Sequence, residues 1–192
     1  MFIRSERLFL RPGWSEDRSE LLALVAGRSH GPRLTADCVP YTEDDARRFL
    51  QATGEALLPR FLITLPGQGG APIIGCIGLS HHRGEAELGY WIERELWGNG
   101  YGAEAARAVV SLARTLGHAR VVASHFLENP GAAQVLHEAG FARTGRIAER
   151  RCLASGVLCS ALEYAVSLVA GGPQGSGGCD DDALRAGRRR AA

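Results

Sequence analysis

The chain has 192 residues, 45% of them hydrophobic, which is enough for one domain with a proper core. A formal net charge of +1 argues against a broad electrostatic footprint for nucleic acid. All 22 basic residues are Arg, so no lysine is available to hold pyridoxal phosphate as a Schiff base or a nucleotide in a P-loop.

The N-terminus MFIRSERLFLRP carries charges every few residues, unlike a signal peptide, and no apolar run is long enough to span a membrane. RLFLRP (7–12) alternates and stops at a proline, which predicts a first strand. SEDRSELLALVAG (15–27) predicts a helix with Ser15 as N-cap, acids in its first turn and Gly27 as its stop. Residues 28–41 read as a loop around Gly31, Pro32 and Pro40. Thr42 with Asp45 resembles a capping box and predicts a second helix over about 43–55.

RFLITL (60–65), the turn PGQGGAP and IIGCIGLS (73–80) read as a hairpin, and AELGYWI (86–92) as the next strand after an HHRGE turn. A helix follows, with Ala106, Val109, Val110, Ala113 and Leu116 at helical spacing and Gly117 as its end. RVVASHF (120–126) predicts a buried strand. NPGAAQVLHEAG predicts a short helix with Pro130 in its first turn and Gly140 as its C-cap. Two more strands are expected near 141–150 and 158–167, and a disordered tail from Gly171, where the Arg188–Arg190 run reads as solvated. This order of elements predicts a mixed α/β or α+β fold. Five cysteines (Cys38, Cys76, Cys152, Cys159 and Cys179) form no CxxC, which suits the thiols of a reducing cytoplasm better than a disulfide framework.

The stretch LWGNGYGAEAARAVV (96–110) joins a strand to a helix through three alternating glycines. The first amides of a helix lack partners within it, and its dipole favours negative charge, so such a turn suits an anion. Glycines let the backbone approach phosphate oxygens without Cβ atoms in the way. A dinucleotide fold would place the turn near the start of a βαβ unit, with an acid about 20 residues on. Here three antiparallel-looking strands precede it, and HARVVAS carries no acid near 120. Coenzyme A also carries a pyrophosphate, and its pantetheine arm can add to an open strand edge like a peptide.

Four segments in order, SERLFLRP, IIGCIGL, AELGYWIERELWGNGYGAEAARAVV and NPGAAQVLHEAGFARTG, resemble the GNAT acyltransferase superfamily over roughly residues 4–165. The likeness is to its branch of RimJ/RimL-type ribosomal-protein N-terminal acetyltransferases. It implies a mostly antiparallel twisted sheet of six to seven strands flanked by about four helices, splayed at the acetyl-CoA site, in a domain over 1–170. The superfamily's Gln/Arg-x-x-Gly-x-Gly/Ala motif falls on Trp97, Gly98, Asn99, Gly100, Tyr101 and Gly102, with Trp97 at the Gln/Arg position. The resemblance implies amide contacts from Gly98 to Ala103 with the CoA phosphates. It also implies pantetheine pairing along Tyr90, Trp91 and Ile92, and a CoA contact from Asn129. The thioester is expected where strands 86–92 and 120–126 splay apart.

Amide formation needs a neutral amine and a place for its proton. Glu87 matches the glutamate this branch often carries on the strand before the turn; the bland alternative is an edge-strand glutamate facing water. Glu85 and Glu104 are weaker candidates, Glu104 because it sits where it favours the helix dipole. The branch's usual proton donors are replaced by Ala132 and Leu136, leaving Ser124, His125, Tyr90 or water. His81 and His82 are expected at a turn and, without a third ligand, no metal is expected. Cys76 reads as core, Arg150 and Arg151 as a solvated strand end or a contact for an acidic substrate, and Trp91 and Trp97 as pocket lining or core.

These observations predict a cytoplasmic, acetyl-CoA-dependent N-acetyltransferase. Its acceptor is expected to be a primary amine, on a protein N-terminus or a small molecule, bound by the loops near 28–41 and 145–158. Neither nucleic acid nor a membrane is an expected partner. A homodimer paired through an exposed edge near 158–167 is a possible assembly. Ala132 and Leu136 also motivate an alternative, a non-catalytic acyl-CoA-binding module.

Overall fold

A computed structural model describes residues 1–26, 43–51, 56–152 and 156–169. Among them, eight strands form one sheet: β1 (Ile3–Arg4), β2 (Phe9–Arg11), β3 (Arg60–Thr64), β4 (Ile73–His82), β5 (Glu85–Ile92), β6 (Arg120–Phe126), β7 (Ala142–Arg151) and β8 (Leu158–Ser167). The described α-helices are α1 (Arg18–Ala26), α2 (Glu43–Gln51), α3 (Tyr101–Thr115) and α4 (Pro130–Glu138). The sheet order is β1-β2-β3-β4-β5-β6-β8-β7, and every neighbour is antiparallel except β5 and β6. The expected count of six to seven strands is corrected to eight. The extra strand is β1, whose two residues pair Ile3 with Leu10 and Arg4 with Phe9 and are too short to show a period.

Local chemistry explains the other departures. The strand expected over 7–12 shortens to Phe9–Arg11 because the Arg7 amide turns away and donates to Glu104 Oε1 at 2.7 Å. Ser15 does not cap the next helix. A 3-10 turn (Ser15–Asp17) precedes α1, and Asp17, not Ser15, organises it. The Asp17 carboxylate accepts the Trp14 amide at 2.7 Å and both guanidinium nitrogens of Arg11 at 2.7 and 2.6 Å, while Ser15 Oγ donates to Glu16. His81 and His82 extend β4, opposite Ala86 and Glu85, and the turn itself is Arg83-Gly84, both at positive φ. The Gly27 stop, the loop over 28–41, the Thr42–Asp45 capping box, Cys38, Cys179 and the tail from Gly171 lie outside the described residues.

The helix stops follow the sequence. Gly117 (φ 87°) and Gly140 (φ 90°) each follow the capping residue of α3 and α4 in the left-handed region. Alternation along β5 divides the core. Leu88 and Ile92 join Ala105, Ala106 and Val109 of α3 and Leu136 of α4, whereas Trp91 packs with Cys76 of β4, Leu21 of α1 and Phe49 of α2. The sheet is therefore covered by α3 and α4 on one face and by α1 and α2 on the other. The edge expected at 158–167 is corrected: β8 lies between β6 and β7, which leaves β7 as the outer strand. No helix among the described residues is long and apolar enough to cross a membrane.

Arg11 and Asp17 are 13% and 9% exposed, so removing the carboxylate strands a buried guanidinium. Breaking such a pair costs about 3 kcal/mol. Asp17→Ala is expected to lower the urea midpoint by that loss divided by the m-value, with the m-value unchanged; an unmoved midpoint means the pair contributes nothing to stability.

Candidate active site

β5 and β6 run parallel, yet their register holds only two pairs, Ala86 with Val121 and Glu87 with Val122. Beyond that point β5 continues along β4 and β6 continues along β8. The parting opens a cavity of about 280 Å³, walled by β5, β6, the glycine turn and α4.

The glycine turn closes the far end. Gly98 (φ 78°) and Gly100 (φ 77°) hold left-handed conformations that cost an L side chain about 1–2 kcal/mol. Gly100 is the N-cap of α3 and offers no side-chain acceptor. The Glu104 amide is the first to bond back along the helix, to the Gly100 carbonyl at 3.0 Å, so by helix geometry the amides before it point outward. A Cβ on Gly102 would meet Tyr90 at 3.3 Å and Val135 at 3.4 Å, so glycine here lets α3 lie close to β5 and α4.

The turn is braced from behind. The Trp97 indole donates to the Ile92 carbonyl at 2.8 Å, and the Asn99 amide to the Leu96 carbonyl at 3.0 Å. Arg7 donates to the Asn99 carbonyl at 2.9 Å and lies over the Tyr101 ring, 4.6 Å from its centroid. Arg7 Nε and the Ser5 hydroxyl also donate to the Glu104 carboxylate at 2.8 and 2.7 Å. Burial pushes the Glu104 carboxyl up, but bonds from Ser5, the Arg7 amide and the Arg7 guanidinium outweigh it and hold it below the usual carboxylate range. Glu104 is thus part of the brace.

The cavity brings together Tyr90, Trp91, Ile92, Trp97, Gly98, Gly100, Tyr101, Gly102, Ala103 and Asn129. Asn99 is not in its wall, and its side chain closes the turn instead. Asn129 also caps α4, where its side chain accepts the Ala132 amide. Ala132 and the buried Leu136 line the cavity and carry no proton to give. Gly131, Gln134, Val135 and Glu138 were not foreseen in the wall; their i, i+3, i+4, i+7 spacing is the signal that places them on one face of α4.

Glu87 sits on the central strand β5, 4% exposed, which overturns the edge-strand reading. It lies outside the cavity wall, on the Trp91 side of the sheet. Arg150 Nη2 donates to its Oε1 at 2.6 Å, and Ser124 Oγ to the same oxygen at 2.9 Å. Arg150 Nη1 stands 3.5 Å from Oε2 and 3.3 Å from His82 Nδ1. Arg150 is therefore an inward-facing partner, 16% exposed, and not a solvated strand end, whereas Arg151 is exposed. Glu85 pairs with Arg120 at 2.7 Å. His125, buried in the cavity wall, bonds through Nδ1 to the Phe126 carbonyl at 2.8 Å and lies 3.4 Å from the Tyr164 hydroxyl. Trp97 is 47% exposed, while Trp91 and Cys76 are core. Among the described residues, no group of three His, Cys, Asp or Glu is placed to hold a metal.

A family model of the acetyltransferase (GNAT) domain matches residues 7–142. None of the curated protein sequences matches the chain. A GNAT-family acetyltransferase structure from Bacillus anthracis is 24% identical, over 88% of this chain and 99% of its own, with a TM-score of 0.70. The Salmonella typhimurium acetyltransferase that modifies the N-terminal serine of ribosomal protein L7/L12 is 18% identical, over 87% and 99%, with a TM-score of 0.71. The microcin C7 self-immunity acetyltransferase MccE, solved with acetyl-CoA and AMP, is 16% identical, over 84% and 93%, with a TM-score of 0.67. At these identities the likeness to the solved structures is one of fold.

The Glu104 brace has a pH signature. Its folded carboxyl is depressed, so the stabilisation is present above the ordinary glutamate value of about 4.3 and drains as pH falls through the lower folded value. Glu104→Gln is expected to lose about 2 kcal/mol at pH 7, with the gap to wild type narrowing below about pH 4 in acid-titrated urea melts. A gap that is constant with pH shows that the carboxylate charge adds nothing.

Proposed function

The chain belongs to the GNAT acetyltransferase family, and we propose that it is an acetyl-CoA-dependent N-acetyltransferase of RimJ/RimL type acting in the cytoplasm on a primary amine. The observation that carries this reading is the parted β5–β6 pair with a glycine turn and a helix N-terminus at one end of the cavity. The residues fit the ligand. Outward amides from the turn and first turn of α3 suit a pyrophosphate, in a cradle from which side chains at 98 and 100 are absent. Tyr90, Trp91 and Ile92 lie along the cavity wall where an extended pantetheine arm would run, with Asn129 on the facing side. Bound there, acetyl-CoA supplies an activated acyl group as a thioester.

The protein's share is orientation, exclusion of water and proton handling. Leu88, Ala123 and Leu136 make the reacting end apolar, which protects the thioester from hydrolysis. Glu87, just behind the parting of the strands, is the proton acceptor in this reading. The acceptor amine, on a protein N-terminus or a small molecule, approaches from the face that bears Glu87 and Arg150. Transfer is direct, within one complex of both substrates, and no metal takes part. Dimerisation, if the chain uses it, falls to the outer strand β7.

A thermal-shift comparison of the full chain with acetyl-CoA, CoA, NAD and ATP tests the cofactor. A ligand at about a hundred times its dissociation constant adds roughly 2.7 kcal/mol, a shift of several degrees. A shift with the CoA pair alone is expected, followed by CoA release with a panel of free-amino tetrapeptides, amino acids and polyamines. No shift with CoA overturns the reading, and tight CoA binding with no turnover of any amine points to a binding module. Gly98→Ala and Gly100→Ala are each expected to cost about 1 kcal/mol of stability and to shrink the CoA-induced shift further, because both force an L side chain into the left-handed region.

A further inference from the structure

Glu87 cannot meet an amine in the cavity by itself. It is 4% exposed and lies outside the cavity wall, and Arg150 approaches both of its carboxylate oxygens. Ser124 spans the gap. It stands on β6 two residues beyond Val122, the last residue paired to β5, and it lines the cavity. Its hydroxyl donates to Glu87 Oε1 at 2.9 Å. A serine hydroxyl has one proton to give and two lone pairs to accept with. The proton goes to Glu87, and a hydroxyl oxygen that donates can at the same time accept from an amine N–H.

We propose that Ser124 is a catalytic residue, a proton relay between the acceptor amine and Glu87. This rests on the amine-acetylation reading above and deepens it. The amine lone pair forms the new C–N bond to the acyl carbon, and the C–S bond breaks with its electron pair leaving on sulfur as the CoA thiolate. The proton shed by the nitrogen passes to Ser124 Oγ as the serine passes its own proton to Glu87 Oε1. The hydroxyl is thereby regenerated, and Glu87 returns its proton to water before the next cycle. Arg150 is the positioning residue: its Nη2 donates to Oε1 and holds that oxygen against the serine.

The test uses the full chain and the most reactive amine of the panel. Ser124→Ala and Ser124→Cys are expected to lower kcat roughly 10²-fold, with the acetyl-CoA KM and the CoA-induced thermal shift unchanged. Ser124→Thr, which keeps the hydroxyl, is expected to retain most of the rate. Glu87→Gln is expected to lose a similar factor, and the Ser124→Ala/Glu87→Gln double variant to be no slower than the slower single variant, as for groups that act as one unit. Undiminished turnover in Ser124→Ala, or losses that multiply in the double variant, overturns the relay while amine acetylation stands. Wild type that binds CoA but turns over no amine overturns the transfer reading and the relay with it.

Discussion

Everything at the site follows from the place where β5 and β6 stop pairing. A parallel pair needs a crossover connection, and α3 supplies it, so the helix begins where β5 ends. The five steps from Glu87 to Ile92 span about 17 Å of strand. The glycine-turn end of the cavity and the end at the parting strands are therefore a strand's length apart by construction. Had the register continued past Glu87 and Val122, hydrogen bonds would occupy the space that the cavity fills, and Ser124 would be one more residue within a continuous ladder.

Three buried carboxylates mark the joints of this architecture, and an arginine meets each. Asp17 with Arg11 fixes the entry into α1, Glu104 with Arg7 braces the glycine turn, and Glu87 with Arg150 sits behind the parting strands. A guanidinium is planar and offers several donors in a rigid fork, which suits two-oxygen recognition better than the point charge of an ammonium. Arg11 shows this plainly, with separate nitrogens on each oxygen of Asp17. A sequence whose basic residues are all arginine thus has the right cation wherever a carboxylate must be buried. Burial works against the ionised Asp17 and Glu104, yet both stay below the usual carboxylate range because amide and guanidinium donors surround them.

Legibility in the sequence tracks how local each feature is. β6 and β8 were readable to the residue because apolar content and flanking turn residues bound them on both sides. The stops of α3 and α4 were readable because Gly117 and Gly140 serve the left-handed position that a helix end demands. The glycine turn and the β5 side of the cavity wall followed from one contiguous motif. Contacts between distant segments were not readable. Arg150 is 63 residues from Glu87, and no local period distinguishes an inward arginine from a solvated one. The order of β7 and β8 was missed for the same reason, since alternation fixes a strand's faces but not its neighbour. Ser15 looked like a cap because its residue type favours that position. Asp17 took the organising role because Arg11 and the Trp14 amide converge on it.

Ala132 and Leu136 stand where the resembled enzymes carry proton donors, and the surroundings show why their loss is compatible with transfer. A thiol has a pKa of about 8.5, so a thiolate can leave without a proton from the protein. The harder demand is on the amine. An alkyl ammonium, with a pKa of about 10.4, gives up its proton before attack only to a strong base. An α-amine, with a pKa near 7.7–8.0, is already neutral in roughly a tenth of molecules at pH 7 and sheds its proton only as the new bond forms. In the proposed relay, a carboxylate reached through a hydroxyl has only that late, small proton demand to meet. In the proposed reading, Leu136 keeps the reacting end apolar, so the acyl group meets the amine before it meets water. In the proposed reading, chemistry that needs no acid on α4 uses that helix as a wall, and the polar work falls to Ser124 and Glu87, which share a hydrogen bond.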